Sequence, residues 1–221
     1  CDWSSDVCSS DLPFSENFFP ILDRDKAWRQ LGYGGDFGVA CVGRIRPEKG
    51  TDLFVETMLT IMPQKPSMVA LIIGKTENKH KKFKEKLIKK IAKANLSDRI
   101  IFMDEISAEN MPKVMSAISL LIALPRYEGY GMTPLEALAS GTPFVGSKTG
   151  YFEEFSSHGK YGSVVELEDV ANAVKAVLHW LSKNDELDIF SEISRKYILE
   201  NYSIEQEVNG INKAYLSLLK D

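Results

Sequence analysis

Short apolar runs alternate with amphipathic stretches along the chain, and this alternation predicts parallel strands connected by helices. Six runs are short and apolar enough for buried strands: residues 37–42, 68–73, 99–103, 119–124, 143–146 and 162–167. No strand pattern follows residue 167, and three helices are predicted there, at residues 168–181, 187–200 and 204–219. The predicted fold class is therefore α/β, a Rossmann-like, doubly wound parallel sheet of about six strands with C-terminal helices.

Several helix boundaries can be predicted from capping residues and apolar spacing. Thr51 is placed to cap a helix over residues 52–62, and Ser107 is placed to open the helix before the fourth strand. A lysine-rich helix is predicted over residues 78–94. Nine lysines from Lys75 to Lys93 could contact an anionic membrane surface, but a solvated outer face is favoured because most of them lie off the apolar stripe.

The composition is that of a soluble globular protein with room for a core, since 44% of the 221 residues are hydrophobic and 26% are charged. The longest apolar runs are far too short to span a bilayer, and no signal-sequence pattern opens the chain. A net charge of −4 argues against general nucleic-acid binding. Cys41 lies inside the first strand and belongs to no disulfide or zinc pattern, which is typical of the reducing cytoplasm.

Residues 1–12, CDWSSDVCSSDL, differ in composition from the rest of the chain. They contain Ser-Ser-Asp twice, show no periodicity, and resemble a translated sequencing-library adapter. We interpret them as a non-native, disordered scar, with a genuine disordered tail as the alternative. If they are a scar, the natural protein is expected to be longer.

The stretch RYEGYGMTPLEALASG, residues 126–141, follows the fourth strand and leads into a helix. Thr133 is placed as the N-cap, Pro134 as the first helical residue and Glu136 as the partner in a capping box, while Gly141 would end the helix. The backbone amides of residues 131–135 would then form an anion-binding helix start. In an open parallel sheet, this edge is where ligands bind.

Charged residues follow two strands of the predicted sheet. Arg44 and Lys49 lie in the loop after the first strand, and Glu128 and Glu136 lie after the fourth. Two cations and helix amides suit a diphosphate, and two carboxylates suit the hydroxyls of a sugar and a ribose, so the combination predicts a nucleotide sugar. The alternatives are surface cations, a solvated loop charge at Glu128 and a mere capping role for Glu136.

Other chemistries are poorly supported by the sequence. His80, His158 and His179 have no Ser or Cys in a nucleophile-elbow context, and no cluster has metal-ligand spacing. The loop after the first strand lacks the Walker spacing. The glycines of residues 32–38 precede a strand rather than follow one, so they are interpreted as a linker and turn and not as an NAD fingerprint.

The segments GRIRPEKG, residues 43–50, and EGYGMTPLEALASG, residues 128–141, resemble the C-terminal half of retaining glycosyltransferases of the group 1 family, which have the GT-B fold. The resemblance covers about residues 17–220. Within that family, residues 43–58 are most similar to bacterial lipopolysaccharide core mannosyltransferases, which use GDP-mannose; UDP-sugar enzymes share the same motifs.

The resemblance implies roles for individual residues. Arg44, with Gly43 before it, and Lys49 would hold the donor diphosphate in place of a metal, so no metal or other cofactor is expected. Glu128 would contact the donor sugar, and Glu136 the nucleotide ribose. The resemblance places further donor contacts at Gly129, Tyr130, Gly131, Met132 and Thr133, with less certain roles for Gly74 and Glu153. Arg44, Lys49 and Glu128 would also serve the metal-independent, retaining transfer.

The resemblance also implies a domain organisation. Residues 13–36 would be a remnant of an interdomain linker, residues 37–200 the nucleotide-sugar-binding domain, and residues 201–221 a helix that packs on an N-terminal domain missing here. The chain alone would then bind a donor but transfer little, and could self-associate or lie at the cytoplasmic face of the inner membrane. The saccharide or lipid-linked acceptor would bind through the missing domain. A non-catalytic nucleotide-binding or interaction module is the alternative function.

Overall fold

The apolar runs form one six-stranded parallel sheet in a computed structural model, which describes residues 17–183 and 186–218. The strands are β1 (Phe37–Val42), β2 (Met68–Ile73), β3 (Ile100–Met103), β4 (Leu120–Ala123), β5 (Phe144–Ser147) and β6 (Gly162–Val165). Their order is β3-β2-β1-β4-β5-β6. The first three strands extend the sheet to one side and the last three to the other, so the switch point of the sheet lies between β1 and β4. The predicted α/β fold class is confirmed, whereas residues 1–12 lie outside the described part.

Helices cover both faces of the sheet. They are α1 (Arg24–Leu31), α2 (Thr51–Ile61), α3 (Lys81–Lys93), α4 (Met111–Ala117), α5 (Met132–Ala139), α6 (Phe152–Ser156), α7 (Val170–Leu181), α8 (Leu187–Tyr202) and α9 (Ile204–Leu218). One core contains the apolar faces of α2, α3 and α7, and the other contains those of α1, α4, α5, α6 and α8. Successive strand residues alternate between these two cores, which is why the strands are continuous apolar runs.

Thr51 and Ser107 do not open helices as the sequence predicted. Thr51 is not a cap: α2 begins at Thr51 itself, after Gly50 with a φ of +64°. A Cβ on Gly50 would lie 1.7 Å from the Leu124 carbonyl oxygen, so the loop after β4 requires glycine there. Ser107 does not open a helix either, because residues 108–110 form a turn and α4 begins at Met111.

The segment before β1 contributes to the fold through a buried arginine. Arg24 donates hydrogen bonds to the backbone carbonyls of Ile118 and Gly141 and to the hydroxyls of Thr142 and Ser191. Burial lowers the pKa of Arg24 to about 10. These bonds tie α1 to the segments before β4 and β5 and to α8.

Trp28, one turn later, is 1% exposed and packs against β1. Gly38 lies within β1 and not in a turn. A Cβ on Gly38 would lie 2.1 Å from the Trp28 ring, so the packing of Trp28 on the strand requires glycine there. The assignment of residues 13–36 to a linker and the other domain boundaries stay predictions, but Arg24–Leu31 packs on the sheet domain as one of its layers.

Replacement of Arg24 by Met is expected to destabilise the fold by about 2–4 kcal/mol, because two buried carbonyls and two hydroxyls lose their donor. Lys26→Met is the matched control, since the Lys26 side chain on the same helix is exposed. Urea unfolding monitored by tryptophan fluorescence measures both values. Equal stability of the two variants would contradict a structural role for Arg24.

Candidate functional site

The candidate site lies at the carboxyl edge of the sheet, where β1 and β4 meet. These strands pair at two positions, Val39 with Leu120 and Ala40 with Leu121. The pairing of β1 with β2 continues to its last residue, Val42 with Ile73. Because β1 and β4 are not paired beyond Ala40, their carboxyl ends leave room for the loops that follow them.

Two glycines bring the loops after β1 and β2 into contact. Gly43 and Gly74 have φ values of +143° and +148°, and a Cβ on Gly74 would lie 2.0 Å from the Gly43 carbonyl oxygen. The guanidinium of Arg44 lies 3.6 Å from the Glu77 carboxylate in the second loop. Gly74 is therefore needed for the contact between the loops.

Arg126 connects the loop after β4 to the loop after β1. Its guanidinium donates two hydrogen bonds of 2.8 Å to the Asp52 carboxylate and one to the Pro47 carbonyl, and also pairs with Glu168. The Arg126 backbone N–H donates to the Glu48 carbonyl over 2.9 Å. The hydrogen bonds with Asp52 raise the pKa of Arg126, which stays charged. The 3-10 turn Pro47–Lys49 is thus held against the loop that carries Glu128.

Lys49 and Glu128 form an ion pair across these loops. The Lys49 Nζ lies 2.7 Å from the Glu128 Oε2, and the two side chains are 26% and 22% exposed. The other oxygen, Oε1, accepts a hydrogen bond of 3.2 Å from the Gly129 N–H, and the Glu128 N–H donates to the Thr149 hydroxyl. The two loops therefore place a cation and a carboxylate at the same edge, as the sequence predicted.

Helix α5 begins earlier than the capping pattern predicted. Gly131, with a φ of +104°, is its N-cap, and Met132 is the first helical residue. Thr133 and Pro134 are thus inside the first turn, and the predicted capping box is wrong. A Cβ on Gly131 would lie 2.3 Å from the Phe152 ring, so the close packing against α6 requires glycine at this N-cap. The N–H groups of Met132 and Thr133 remain available at the helix start, whereas Pro134 has none.

Glu136 lies one turn into α5, where it is half-buried. Desolvation raises the pKa of its carboxyl from 4.5 to about 7. Within residues 17–183 and 186–218, no side chain pairs with this carboxyl, so Glu136 is not a capping partner. A polar ligand that donates to it would relieve the desolvation.

The remaining predicted residues lie around the same loops. Gly129 and Tyr130 are exposed, and the Tyr130 ring packs on Tyr151 with centroids 5.1 Å apart. Glu153 belongs to α6 and lies 3.5 Å from the Lys148 Nζ. Glu153 therefore has a surface ion pair near the site.

Sequence reasoning missed the Arg126 clamp and the aromatic pair of Tyr130 and Tyr151. The only signal for Arg126 is a cation directly after a strand, which many surface arginines share. Across the described ranges, no group of three His, Cys, Asp or Glu side chains could hold a metal ion. Cys41 is buried in β1, where desolvation raises its pKa to about 12, which leaves it an unreactive thiol. Among the described helices, none is long and apolar enough to cross a bilayer.

The fold and this edge define the class of protein: a Rossmann-like α/β domain with charged side chains at the switch point of its sheet. The family model "Glycosyl transferases group 1" matches residues 23–197, and the chain belongs to that family. The resemblance inferred from residues 43–50 and 128–141 is confirmed.

Two curated relatives share about a third of their residues with the chain. The lipopolysaccharide core biosynthesis mannosyltransferase LpsB of Rhizobium meliloti (strain 1021) is 34% identical over 93% of this chain and 59% of its own length. LpcC, the mannosyltransferase of the same description from Rhizobium leguminosarum bv. viciae, is 35% identical over 92% of this chain and 57% of its own. The chain thus spans somewhat more than half of each relative.

Solved structures show the same fold. The C-terminal domain of a group 1 family glycosyl transferase (LpcC) from Francisella tularensis has a TM-score of 0.80 and 25% identity, over 86% of this chain and 97% of that one. Anabaena Alr3699/HepE, in complex with UDP and glucose, has a TM-score of 0.79 and 20% identity, over 93% of this chain and 55% of its own. The chain has the fold of a GT-B C-terminal domain.

Glu136→Gln is expected to stabilise the protein at pH 8 by about 1–3 kcal/mol and to leave it unchanged at pH 4.5. The raised pKa means that the folded state holds the proton more tightly than the unfolded state. The loss of folding free energy caused by the Glu136 charge is therefore absent below pH 4.5, grows between pH 4.5 and about 7, and is complete above pH about 7. Urea unfolding at both pH values measures this, with the exposed Glu105→Gln as control. A gain of the same size at both pH values would mean that ionisation is not its cause.

Arg126→Met is expected to cost about 1–2 kcal/mol of stability and to speed amide hydrogen exchange in residues 46–49 and 126–129. The reason is that the Asp52 and Pro47 acceptors lose the guanidinium that joins the loops. Lys148→Met, at the same edge but in exposed ion pairs, is the control. Unchanged exchange in both segments would show that Arg126 does not hold the loops.

Proposed function

We propose that the chain is the donor-binding part of a glycosyltransferase that uses a nucleotide-diphosphate sugar, with GDP-mannose as the donor. The reaction is metal-independent transfer of a mannosyl group, with retention of configuration, to a saccharide or lipid-linked acceptor in bacterial lipopolysaccharide core or envelope polysaccharide synthesis. The observation that carries the proposal is the ion pair of Lys49 and Glu128 beside the start of α5. The names of the two relatives about 35% identical support the sugar and the process.

The ion pair suits a ligand that has both an anionic and a hydroxyl part. A diphosphate attracts Lys49, while a sugar hydroxyl can donate to Glu128, so both groups keep a partner when the donor enters. Arg44 supplies a second cation from the same loop, and the N–H groups of Met132 and Thr133 supply a helix start. With this charge held by protein groups, the diphosphate needs no metal.

Glu136 is proposed to bind the nucleotide ribose. A ribose has two neighbouring hydroxyls that can donate to a carboxylate, and these bonds favour the charged form. Because desolvation holds the pKa of the free Glu136 near 7, donor binding should release part of a proton at neutral pH. Donor affinity should therefore increase from pH 6 to pH 8.

The proposed catalytic contribution of this chain is electrostatic. As the bond between the sugar and the diphosphate breaks, negative charge grows on the leaving diphosphate. Lys49, Arg44 and the amides of α5 are in place before the reaction, so they stabilise this charge without reorganisation. Arg126 keeps Lys49 in position through its bonds to the Pro47 and Glu48 carbonyls of the turn that contains Lys49.

Acceptor binding is proposed to need the part of the relatives that this chain does not cover. The chain by itself should thus bind the donor and transfer little. Val208, Ile211 and Tyr215 of α9 are 49%, 49% and 65% exposed, and we propose that this apolar face packs on that other part. In its absence, the same face can cause self-association.

Titration calorimetry in EDTA is expected to show binding of GDP-mannose and GDP, with UDP-glucose weaker. Glu128→Gln should weaken the binding of GDP-mannose by about tenfold and leave the binding of GDP nearly unchanged, because Glu128 is proposed to contact only the sugar. Lys49→Met should weaken the binding of GDP-mannose and of GDP by about tenfold or more, since both ligands contain the diphosphate. The exposed Lys113→Met is the control for a lost surface charge.

The outcomes of this titration distinguish the proposed donor, another donor and a non-catalytic protein. Failure of the folded protein to bind any of the three ligands at millimolar concentration would contradict it. Tighter binding of UDP-glucose than of GDP-mannose would keep the glycosyltransferase and change its donor. Donor binding without transfer, once the chain is joined to the rest of a full-length protein, would favour a non-catalytic nucleotide-binding module.

A further inference from the structure

Residues 75–93 carry a strong positive charge that the proposed function does not use. They contain nine lysines and two glutamates, a net charge of +7, in a chain whose total is −4. The rest of the chain is therefore acidic, with a net charge of −11. Such an asymmetry indicates an anionic partner for one surface. Helix α3 forms most of this segment and is anchored by the buried Leu87 and Ile91.

Four lysines of α3 form one row along the outside of the helix. Lys82, Lys86, Lys89 and Lys93 follow each other at spacings of four, three and four residues, which places them within about 60° of one another around the helix axis. All four are exposed. The row extends over about 17 Å of helix. We call it the lysine row.

The lysine row is not neutralised by the protein. Across residues 17–183 and 186–218, none of the four ammonium groups has a hydrogen-bond or ion-pair partner. Two other lysines of α3 differ in this respect, because Lys90 pairs with Glu56 and Lys84 lies 5.2 Å from the centre of the Phe102 ring. The exposed Glu85 lies on the flank of the row and is the one acidic residue in α3.

Like charges four residues apart destabilise a helix. The row contains two such pairs, Lys82 with Lys86 and Lys89 with Lys93, and both repulsions would be relieved by an external anion. The row is convex and straight, so it fits a flat anionic surface better than a small anion, which needs a concave site.

The chemistry of the exposed face favours lipid headgroups over nucleic acid. It carries lysines and no arginine or aromatic side chain on which a base could stack. Lysine stems are themselves apolar and can lie against the headgroup region of a bilayer. A cluster of lysines on one face of an amphipathic helix is typical of segments that bind anionic bilayers.

We propose that the lysine row is a docking surface for a bilayer that contains anionic phospholipids. Helix α3 packs beside α2 and against Phe102 of β3, the outermost strand on that side of the sheet. Helix α3 connects β2 to β3, whereas the proposed donor site lies at the ends of β1 and β4. The contact is electrostatic, so it is reversible and weakens as salt is added.

Vesicle sedimentation of the 221-residue chain tests the docking surface. The vesicles are phosphatidylcholine with and without phosphatidylglycerol, each at low and at high salt. The chain is expected to bind the phosphatidylglycerol vesicles at low salt only. The variant K82Q/K86Q/K89Q/K93Q should bind them at least about tenfold more weakly, because each lysine near an anionic surface contributes to binding.

A variant with the same loss of charge elsewhere is the matched control. K113Q/K160Q/K175Q/K196Q replaces four exposed lysines outside α3 and should bind within about twofold of the unchanged chain. Glutamine is a good helix former, so both variants should fold, and thermal unfolding followed by circular dichroism verifies this. If the row variant melts early, K86Q/K89Q replaces it in the same assay, with an intermediate loss expected.

Several results would overturn the proposal. One is equal binding of the row variant and the unchanged chain. Another is binding to phosphatidylcholine alone that salt does not weaken, which would place the contact on the apolar face of α9. A third is tight binding of duplex DNA by the row, with no binding to either vesicle. Equal losses in the row and control variants would show that net charge, and not the row, determines the binding.

Discussion

The contact between the loops after β1 and β4 depends on the guanidinium of Arg126. Its planar fork matches the two oxygens of Asp52 at the start of α2, and its remaining donors reach Pro47 and Glu168. A single side chain therefore holds three segments that are distant in the sequence. Lys49 and Glu128 lie within two or three residues of these bonds, so their ion pair has a fixed position. The chemistry proposed for the site depends on that position, because charge is stabilised best by groups that need not move.

Glycines allow the backbone approaches on which the site is built. Gly50 lies against the Leu124 carbonyl, Gly74 against the Gly43 carbonyl, and Gly131 against the Phe152 ring. Each has a positive φ, and at each a Cβ would lie 2.3 Å or less from a neighbouring atom. The loops can therefore meet at the carboxyl edge without side chains between them. This leaves backbone N–H groups and a few charged side chains as the surface that a ligand meets.

Arg24 and Glu136, on helices that cover the same face of the sheet, differ in whether hydrogen bonds compensate their burial. Arg24 keeps its charge because four oxygen atoms from α8 and from the segments before β4 and β5 surround it. Glu136 has no such partners among the residues that the structure describes, and desolvation raises its pKa to about 7. A satisfied buried charge suits a structural role, whereas an unsatisfied one suits a group that waits for a ligand. The two residues thus separate stability from the proposed function within one layer of helices.

The sequence by itself determined the sheet, its connectivity and the edge at which the charged residues lie. Short apolar runs such as MVALII are typical of buried strands, and helices between them favour parallel strands whose carboxyl ends share one edge. For this reason Lys49 and Glu128 could be placed together although 79 positions separate them.

The tertiary structure alone decided the start of α5, the clamp of Arg126, the burial of Arg24 and the pKa of Glu136. The capping pattern at Thr133 was misleading because local preference contributes little beside the packing of Gly131 on Phe152. Periodicity shows which residues are buried, but the partner of a polar side chain depends on which segments meet, and those contacts exist only in the folded chain.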